Sequence, residues 1–291
     1  MNDAAGRGSP WWPSAASEVV GVIGDPIRHS RSPALHNAAF RALGLDWVSV
    51  AFQVGTDAVD EALLGVRGLG LRGVSVTMPL KDAVAARVDR RTAAAEVLGA
   101  VNCVSVESGQ LVGHNTDGDG FIGALARGAG LDAAGLRCVV AGAGGAARAI
   151  VLALADAGAA EVLVVGRNAR HAEAAAALAG AAGRRGNASD AHGADLIVNA
   201  TPAGMAGTEA AGDLPPIDPA SFHAGQVVVD LVYHPRPTRW LTLAAAHGAV
   251  VLDGLGMLVH QAAAQVSLWT GRPAPLEEMW RVAQEPASPG V

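Results

Sequence analysis

Leu136-Arg-Cys-Val-Val-Ala-Gly142-Ala-Gly144-Gly-Ala-Ala147-Arg-Ala149 decides the fold of this 291-residue chain. An apolar strand runs into a glycine turn, and an alanine-rich helix follows. The pattern is G-x-G-x-x-A. Gly142 allows the tight turn, Gly144 lets backbone amides approach a pyrophosphate, and Ala147 lets the helix pack closely on the sheet. The helix start adds unpaired N–H groups and a positive dipole end for the phosphates. Gly142, Ala143, Gly144, Gly145, Ala146 and Ala147 are the expected cradle of a dinucleotide. A bare glycine pattern is weak in a chain with 37 glycines. Here the strand before it and the helix after it are the confirming context.

The next strand, Val162 to Val165, selects the dinucleotide. An NAD site usually carries Asp or Glu at this strand end to bind the ribose hydroxyls. Here the chain reads Gly166-Arg167-Asn168-Ala-Arg170, and Glu161 is at the opposite end. Arg167 is placed to meet a 2′-phosphate, with Arg170 and the Asn168 amide as helpers. The reading is NADP over NAD; the bland alternative is a pair of solvated arginines.

Around this unit the chain alternates strand and helix. Strands are expected at 19–23, 46–53 and 73–77, with helices at 33–43, 57–66 and 82–88 between and after them. A second block begins near residue 115, with helices at 121–129 and 144–157 and strands at 137–141, 161–165, 195–200, 226–231 and 250–251. The alanine- and glycine-rich stretch 172–182 reads as a plain helix and a loop, and 255–270 as a long final helix. Such alternation implies mostly parallel sheets covered by helices. The expected class is α/β with two lobes. Residues 18–114, joined by 254–284, form a substrate-binding lobe, and 115–253 a Rossmann dinucleotide lobe. The last helix returns to the first lobe. Residues 1–17 and 285–291 are expected to be flexible.

Lys81 is the single lysine among 21 basic side chains, in Gly73-Val-Ser-Val-Thr77-Met-Pro-Leu-Lys81. Arginine serves surface charge and anion binding at least as well, but it cannot release a proton near neutral pH. In so arginine-biased a chain, the spared lysine is either a chance surface survivor or a proton-transfer group. Further polar segments accompany it. Ser30-Arg-Ser32-Pro puts two hydroxyls before a helix, where they can cap it or bind a carboxylate with the helix N-terminus. Gly99-Ala-Val-Asn102 and Gly113-His-Asn-Thr-Asp117-Gly read as glycine-framed turns whose short side chains suit sugar-like hydroxyls or ordinary turn chemistry. Asn199-Ala-Thr201-Pro-Ala-Gly-Met205 and Asp230-Leu231-Val-Tyr233 end strands, and Gly254-Leu-Gly-Met257-Leu-Val-His-Gln261 opens the final helix.

Taken together, these segments resemble the shikimate dehydrogenase family from about Gly21 to Trp280, with every motif in the family's order. The resemblance implies that Ser30 and Ser32 hold the shikimate carboxylate. It implies that Thr77, Asn102, Asp117 and Gln261 bind ring hydroxyls with Tyr233 nearby, and that Lys81 and Asp117 form the catalytic pair. Thr201, Met205, Leu231, Gly254 and Met257 fall on the cofactor side, with Met205, Gly254 and Met257 near the nicotinamide. NADP-using members often read Asn-Arg-Thr where this chain has Gly166-Arg167-Asn168, and Arg170 is one position early, so NAD use is possible. The implied reaction is reversible reduction of 3-dehydroshikimate, with Lys81 as proton donor or acceptor and Asp117 orienting it. Quinate or aminoshikimate is the alternative substrate, and an idle NADP-binding regulatory module the remote alternative.

Composition bounds the rest. A net charge of −6 with scattered arginines gives no nucleic-acid footprint. No apolar run reaches spanning length, and residues 1–17 lack a signal-peptide core. Two isolated cysteines, Cys103 and Cys138, make neither a disulfide framework nor a metal cluster. The expectation is a cytoplasmic enzyme on a small molecule, monomeric or homodimeric, with no metal.

Overall fold

The computed structural model describes residues 13–285. The expectations for 1–12 and 286–291 lie outside the described residues. Ser14 and Ser17 already fold into a turn held by Asp46, ahead of the expected start at residue 18.

The first sheet is built from β1 (Glu18–Gly24), α1 (Ser32–Ala42), β2 (Trp47–Gln53), α2 (Val59–Gly68), β3 (Gly73–Val76), α3 (Lys81–Ala85), β4 (Arg90–Arg91), α4 (Ala93–Leu98), β5 (Cys103–Glu107) and β6 (Gln110–His114). Its strand order is β2-β1-β3-β5-β6-β4. β1 pairs in parallel with β2 and β3, whereas β5 is antiparallel to β3 and β6. The hairpin β5–β6 is what strand–helix alternation does not announce. Its turn is Ser108-Gly109, both at positive φ, which matches the right-handed twist of the paired strands.

The second unit comprises α5 (Asp117–Ala129), β7 (Arg137–Ala141), α6 (Gly145–Asp156), β8 (Glu161–Val165), α7 (Ala169–Ala176), β9 (Gly183–Arg185), β10 (Leu196–Asn199), β11 (Val227–Asp230), α8 (Arg239–Ala246) and β12 (Val250–Asp253). All its pairings are parallel, in the order β12-β11-β10-β7-β8-β9. Counted from β7, this is the doubly wound order 3-2-1-4-5-6. The strands are buried on both faces: Val140 and Val198 face a core shared with α5 and α6, while Val139 and Ile197 face one shared with α8. The order reverses between β7 and β10, so the carboxyl ends of these two strands open a crevice. The glycine turn sits there.

α9 (Leu255–Thr270) and α10 (Leu276–Gln284) follow. Val259, Ala262 and Val266 of α9 and Met279 of α10 pack with Val20, Leu35 and Phe40 of the first unit, so the chain returns to its start. The stretch 172–182 is α7 and then a 3₁₀ segment from Ala177 to Ala182, with Gly180 at φ 55°.

Candidate active site

Lys81 opens α3 directly beyond β3. The backbone grips it from both sides: Leu80 N–H donates to the Thr77 carbonyl at 3.0 Å, and Val101 N–H to the Lys81 carbonyl at 3.0 Å. Its side chain is 20 % exposed, and Nζ donates to Asp117 Oδ2 at 2.5 Å. The chance-survivor reading of Lys81 requires a solvated ammonium, and this one is largely enclosed against a buried carboxylate.

Asp117 is the first residue of α5, four residues before the expected helix start. The sequence Asp117-Gly-Asp-Gly120 looks like a turn because glycine costs about 1 kcal/mol in a helix. Packing explains the glycines. A Cβ at Gly118 would lie 2.9 Å from Ala153 Cβ of α6, and one at Gly120 2.7 Å from Gln261 Cβ of α9. These two positions let the first turn of α5 wedge between α6 and α9. The helix N-terminus also favours the Asp117 carboxylate electrostatically.

Asn102 holds the other carboxylate oxygen. Its Nδ2 donates to Asp117 Oδ1 at 2.8 Å and to Thr116 Oγ1 at 3.0 Å, and its Oδ1 accepts from Thr116 N–H at 2.8 Å. Thr116 Oγ1 reaches the Gln261 carbonyl at 3.2 Å. Gln261 Nε2 donates to the Leu258 carbonyl, and Gln265 Nε2 donates both to Gln261 Oε1 at 2.8 Å and to the Asn102 carbonyl at 3.2 Å. Lys81, Asn102, Asp117 and Gln261 are thus brought into one buried polar network. Thr116 and Gln265 belong to it as well and were not anticipated; the i, i+4 spacing of the two glutamines on one helix face was the available signal.

The serine pair leaves β1 beside this network. Asp25 N–H donates to the Met78 carbonyl and Thr77 N–H to the Ile23 carbonyl, which stitches the Ser30 loop to the Thr77–Lys81 segment. Ser30 Oγ accepts from Ser32 N–H at 3.3 Å, Ser32 is buried, and neither hydroxyl caps the helix at its N-cap position. Tyr233 packs against the same core as α1 and α9. Burial pushes its phenol upward, and the nearby Arg31 charge pulls it back.

The second unit presents the glycine turn. Gly142 has φ +117°, and a Cβ there would meet the Ala200 carbonyl at 2.8 Å. A Cβ at Gly144, the N-cap of α6, would meet nothing within 4 Å, and the same holds at Gly145. Ala147 is fully buried against the sheet. This combination of tight turn, open approach and close packing fits a pyrophosphate on the α6 N-terminus. Ala143 and Ala146 complete the turn. Arg167 and Arg170 are exposed and make no ion pair among the described residues. Asn168 Oδ1 caps α7 by accepting His171 N–H at 3.1 Å, which leaves its NH₂ group turned to the same strand end as the arginines.

At the neighbouring strand ends, Asn199 and Asp230 are register partners and form a buried brace that sequence reasoning missed. Asn199 Nδ2 donates to Asp230 Oδ1 at 2.8 Å, and Thr201 N–H and Oγ1 both donate to Asn199 Oδ1. Asp230 also accepts from Val232 N–H and Thr238 Oγ1. Burial pushes the Asp230 carboxyl upward while these three donors pull it down. The brace anchors the loops carrying Thr201, Met205 and Leu231. Gly254 abuts Leu231, whose carbonyl oxygen would lie 1.9 Å from a Cβ. Met257 is buried in the second core, beside a cavity of about 220 Å³. Both cysteines are free and buried; burial raises the Cys138 thiol to about 12 and Cys103 still further. No cluster of metal-ligating side chains occurs among the described residues.

One sheet with doubly wound order, a second α/β sheet and a helix returning between them define a two-lobed nucleotide-dependent dehydrogenase. The family model for the shikimate dehydrogenase substrate binding domain matches residues 22–104, and that for the shikimate 5′-dehydrogenase C-terminal domain matches 254–284. The chain belongs to the shikimate dehydrogenase family. It is 43 % identical over 276 residues to the shikimate dehydrogenase (NADP⁺) of Methanopyrus kandleri, covering 91 % of this chain and 94 % of that one. A crystal structure of a shikimate dehydrogenase with NADP⁺ superposes with TM-score 0.88 at 34 % identity, covering 94 % and 96 %. The Thermus thermophilus enzyme, crystallised with NADP(H) and shikimate, gives 0.84 at 39 % identity, covering 91 % and 98 %.

Proposed function

We propose that the chain reduces 3-dehydroshikimate to shikimate reversibly, with NADP(H) as cofactor. The Lys81–Asp117 pair carries the reading: an ammonium largely withdrawn from solvent, oriented by a carboxylate that is itself held by Asn102. Similarity to enzymes named for this activity supports it over most of the chain.

Gly142 to Ala147 would hold the pyrophosphate, Arg167 with Asn168 and Arg170 the 2′-phosphate, Met205, Gly254 and Met257 the nicotinamide, and Thr201 and Leu231 would line the cofactor side. The bound cofactor supplies the hydride. Lys81 gives a proton to the ketone oxygen as it becomes an alcohol, and takes one back in the oxidative direction. Asp117 orients Lys81 through Oδ2. Ser30 and Ser32 bind the carboxylate. Thr77, Asn102, Asp117 and Gln261 take the ring hydroxyls, near Tyr233. Closure of the lobes on the bound reactants would exclude water and align them for hydride transfer. Because Gly166 and Asn168 stand where NADP-using members often carry asparagine and threonine, NAD use is part of the proposal. The division at 18–114 with 254–284 against 115–253, a cytoplasmic location and a monomeric or homodimeric state complete it.

A matrix of kcat/KM for shikimate, quinate and aminoshikimate, each with NAD⁺ and NADP⁺, is the test. The shikimate–NADP⁺ cell is expected to be largest. Turnover of quinate alone would replace the substrate, and no turnover in any cell would leave a nucleotide-binding module.

A further inference from the structure

α1 begins with Ser32, and Leu35, Ala39 and Phe40 seat it in the core shared with α9 and α10. Apolar contact is non-directional. It holds the helix down without fixing how far it slides along β2. The contacts that fix it are polar and converge on one residue. His36 Nδ1 lies 3.1 Å from Ser49 Oγ. Burial lowers the His36 pKa to about 3, so this bond joins two neutral groups. Asn37 Nδ2 donates to the Ser49 carbonyl at 2.9 Å, and Ser49 N–H donates to Asn37 Oδ1 at 2.8 Å.

β2 is an edge strand of the first sheet. Glu18 N–H donates to the Asp46 carbonyl and Val54 N–H to the Gly24 carbonyl, so the even-numbered residues of β2 bond to β1. Ser49 therefore turns its N–H and carbonyl outward, where the sheet supplies no partner. The Asn37 amide takes both at once, as one more strand would. Two bonds from one planar amide lock the helix in register with β2. Ala51 faces outward in the same way, and its N–H has no such partner among the described residues. Ser32 is five residues before Asn37, about 7.5 Å along the helix axis.

We propose that Asn37 is a positioning residue: its paired bonds to Ser49 set the place of α1 along β2, and so the place of Ser30 and Ser32 against the substrate carboxylate. The proposal rests on the reading above, in which the serine pair holds that carboxylate. Among the described residues Asn37 has no bond to the network around Asp117. Its loss therefore weakens the carboxylate arm of binding and spares proton transfer.

The first test needs no substitution. In the wild-type protein the Ser49 amide is expected to exchange its hydrogen much more slowly than the Ala51 amide two residues along the same edge; equal rates would overturn the proposal. The second compares shikimate with its neutral carboxamide, which differs only at the carboxylate. Asn37→Leu removes both bonds. It is expected to lower the shikimate-to-carboxamide ratio in kcat/KM by about tenfold, the worth of one charge-assisted hydrogen bond. The loss should fall on the shikimate KM, with kcat and the NADP⁺ KM little changed. Asn37→Asp keeps the side-chain volume and the acceptor for Ser49 N–H, and loses only the bond to the Ser49 carbonyl. Its ratio should fall in the same direction. An unchanged ratio in both variants, whatever their Tm, means that Asn37 only packs, and the proposal falls; a loss confined to kcat overturns it too. Ser32→Ala separates the two layers. If it leaves the ratio untouched, the serine pair does not hold the carboxylate, and the underlying assignment fails first.

Discussion

Arg148 Nη2 lies 3.1 Å from Asp82 Oδ1, joining the helix after the glycine turn to the residue beside Lys81. It is an ion pair between the two units, one side chain from the cofactor cradle and one from the proposed proton donor. Asp82 is 71 % exposed, so the pair is worth at most about 1 kcal/mol, or about fivefold. A double-mutant cycle with Arg148→Met and Asp82→Asn should show each single variant lowering kcat/KM by a few-fold and the double variant no more. Strict additivity would mean that the pair is absent in the reacting complex.

Lys81→Ala should lower kcat by about 10²–10⁴-fold, the usual worth of general acid catalysis, and leave NADPH affinity unchanged. Lys81→Arg is the sharper probe. It keeps the charge beside Asp117 but offers no accessible proton, so it should be nearly as slow. Wild-type turnover in either variant removes Lys81 from the chemistry.

Gly120 and Gly65 are both helical glycines with opposite surroundings. A Cβ at Gly120 runs into Gln261, whereas one at Gly65 meets nothing within 4 Å. Gly120→Ala should destabilise the fold by about 1–3 kcal/mol and disturb the Asp117 turn, lowering kcat. Gly65→Ala on α2 should instead stabilise it by about 0.5–1 kcal/mol. Denaturant midpoints and turnover separate the two.

The acid limb of stability should carry a His36 component. Its folded pKa of about 3 is depressed from 6.5, so the unfolded chain binds a proton that the native state refuses. The stabilisation is complete above pH 6.5 and is lost as pH falls from 6.5 toward 3, to roughly 4–5 kcal/mol at the limit. In His36→Asn the unfolding free energy should fall less steeply across this window. Parallel curves for variant and wild type would contradict it.

Arg167→Ala should raise the NADP⁺ KM by roughly 10–100-fold, the worth of a charge-assisted hydrogen bond, and leave the NAD⁺ KM in place. Equal losses with both cofactors would place the arginine away from the 2′-phosphate.

Periodicity was enough for five strands of the doubly wound sheet, and the short edge strand β9 was missed. Val139 to Ala141, the glycine turn and the helix to Asp156 are local signals, and the parallel strands read as apolar runs because both faces are covered. The long α9 was equally plain, running from Leu255 to Thr270 as its spacing predicts. The hairpin β5–β6 was hidden between two segments that look like turns. The start of α5 was hidden because its glycines are chosen by neighbouring helices, not by local propensity.

The sequence by itself determined which residue types were available for chemistry: one lysine, a glycine turn before a helix, and arginine in place of an acid at the second strand end. Tertiary structure alone decided which of them share a site. The Asn199–Asp230 brace, the Gln265–Asn102 bond and the Arg148–Asp82 bridge join residues 31, 163 and 66 positions apart. Hydrogen-bond partners across such separations are set by strand register and helix packing, because a buried polar group must find its partner wherever the fold brings one.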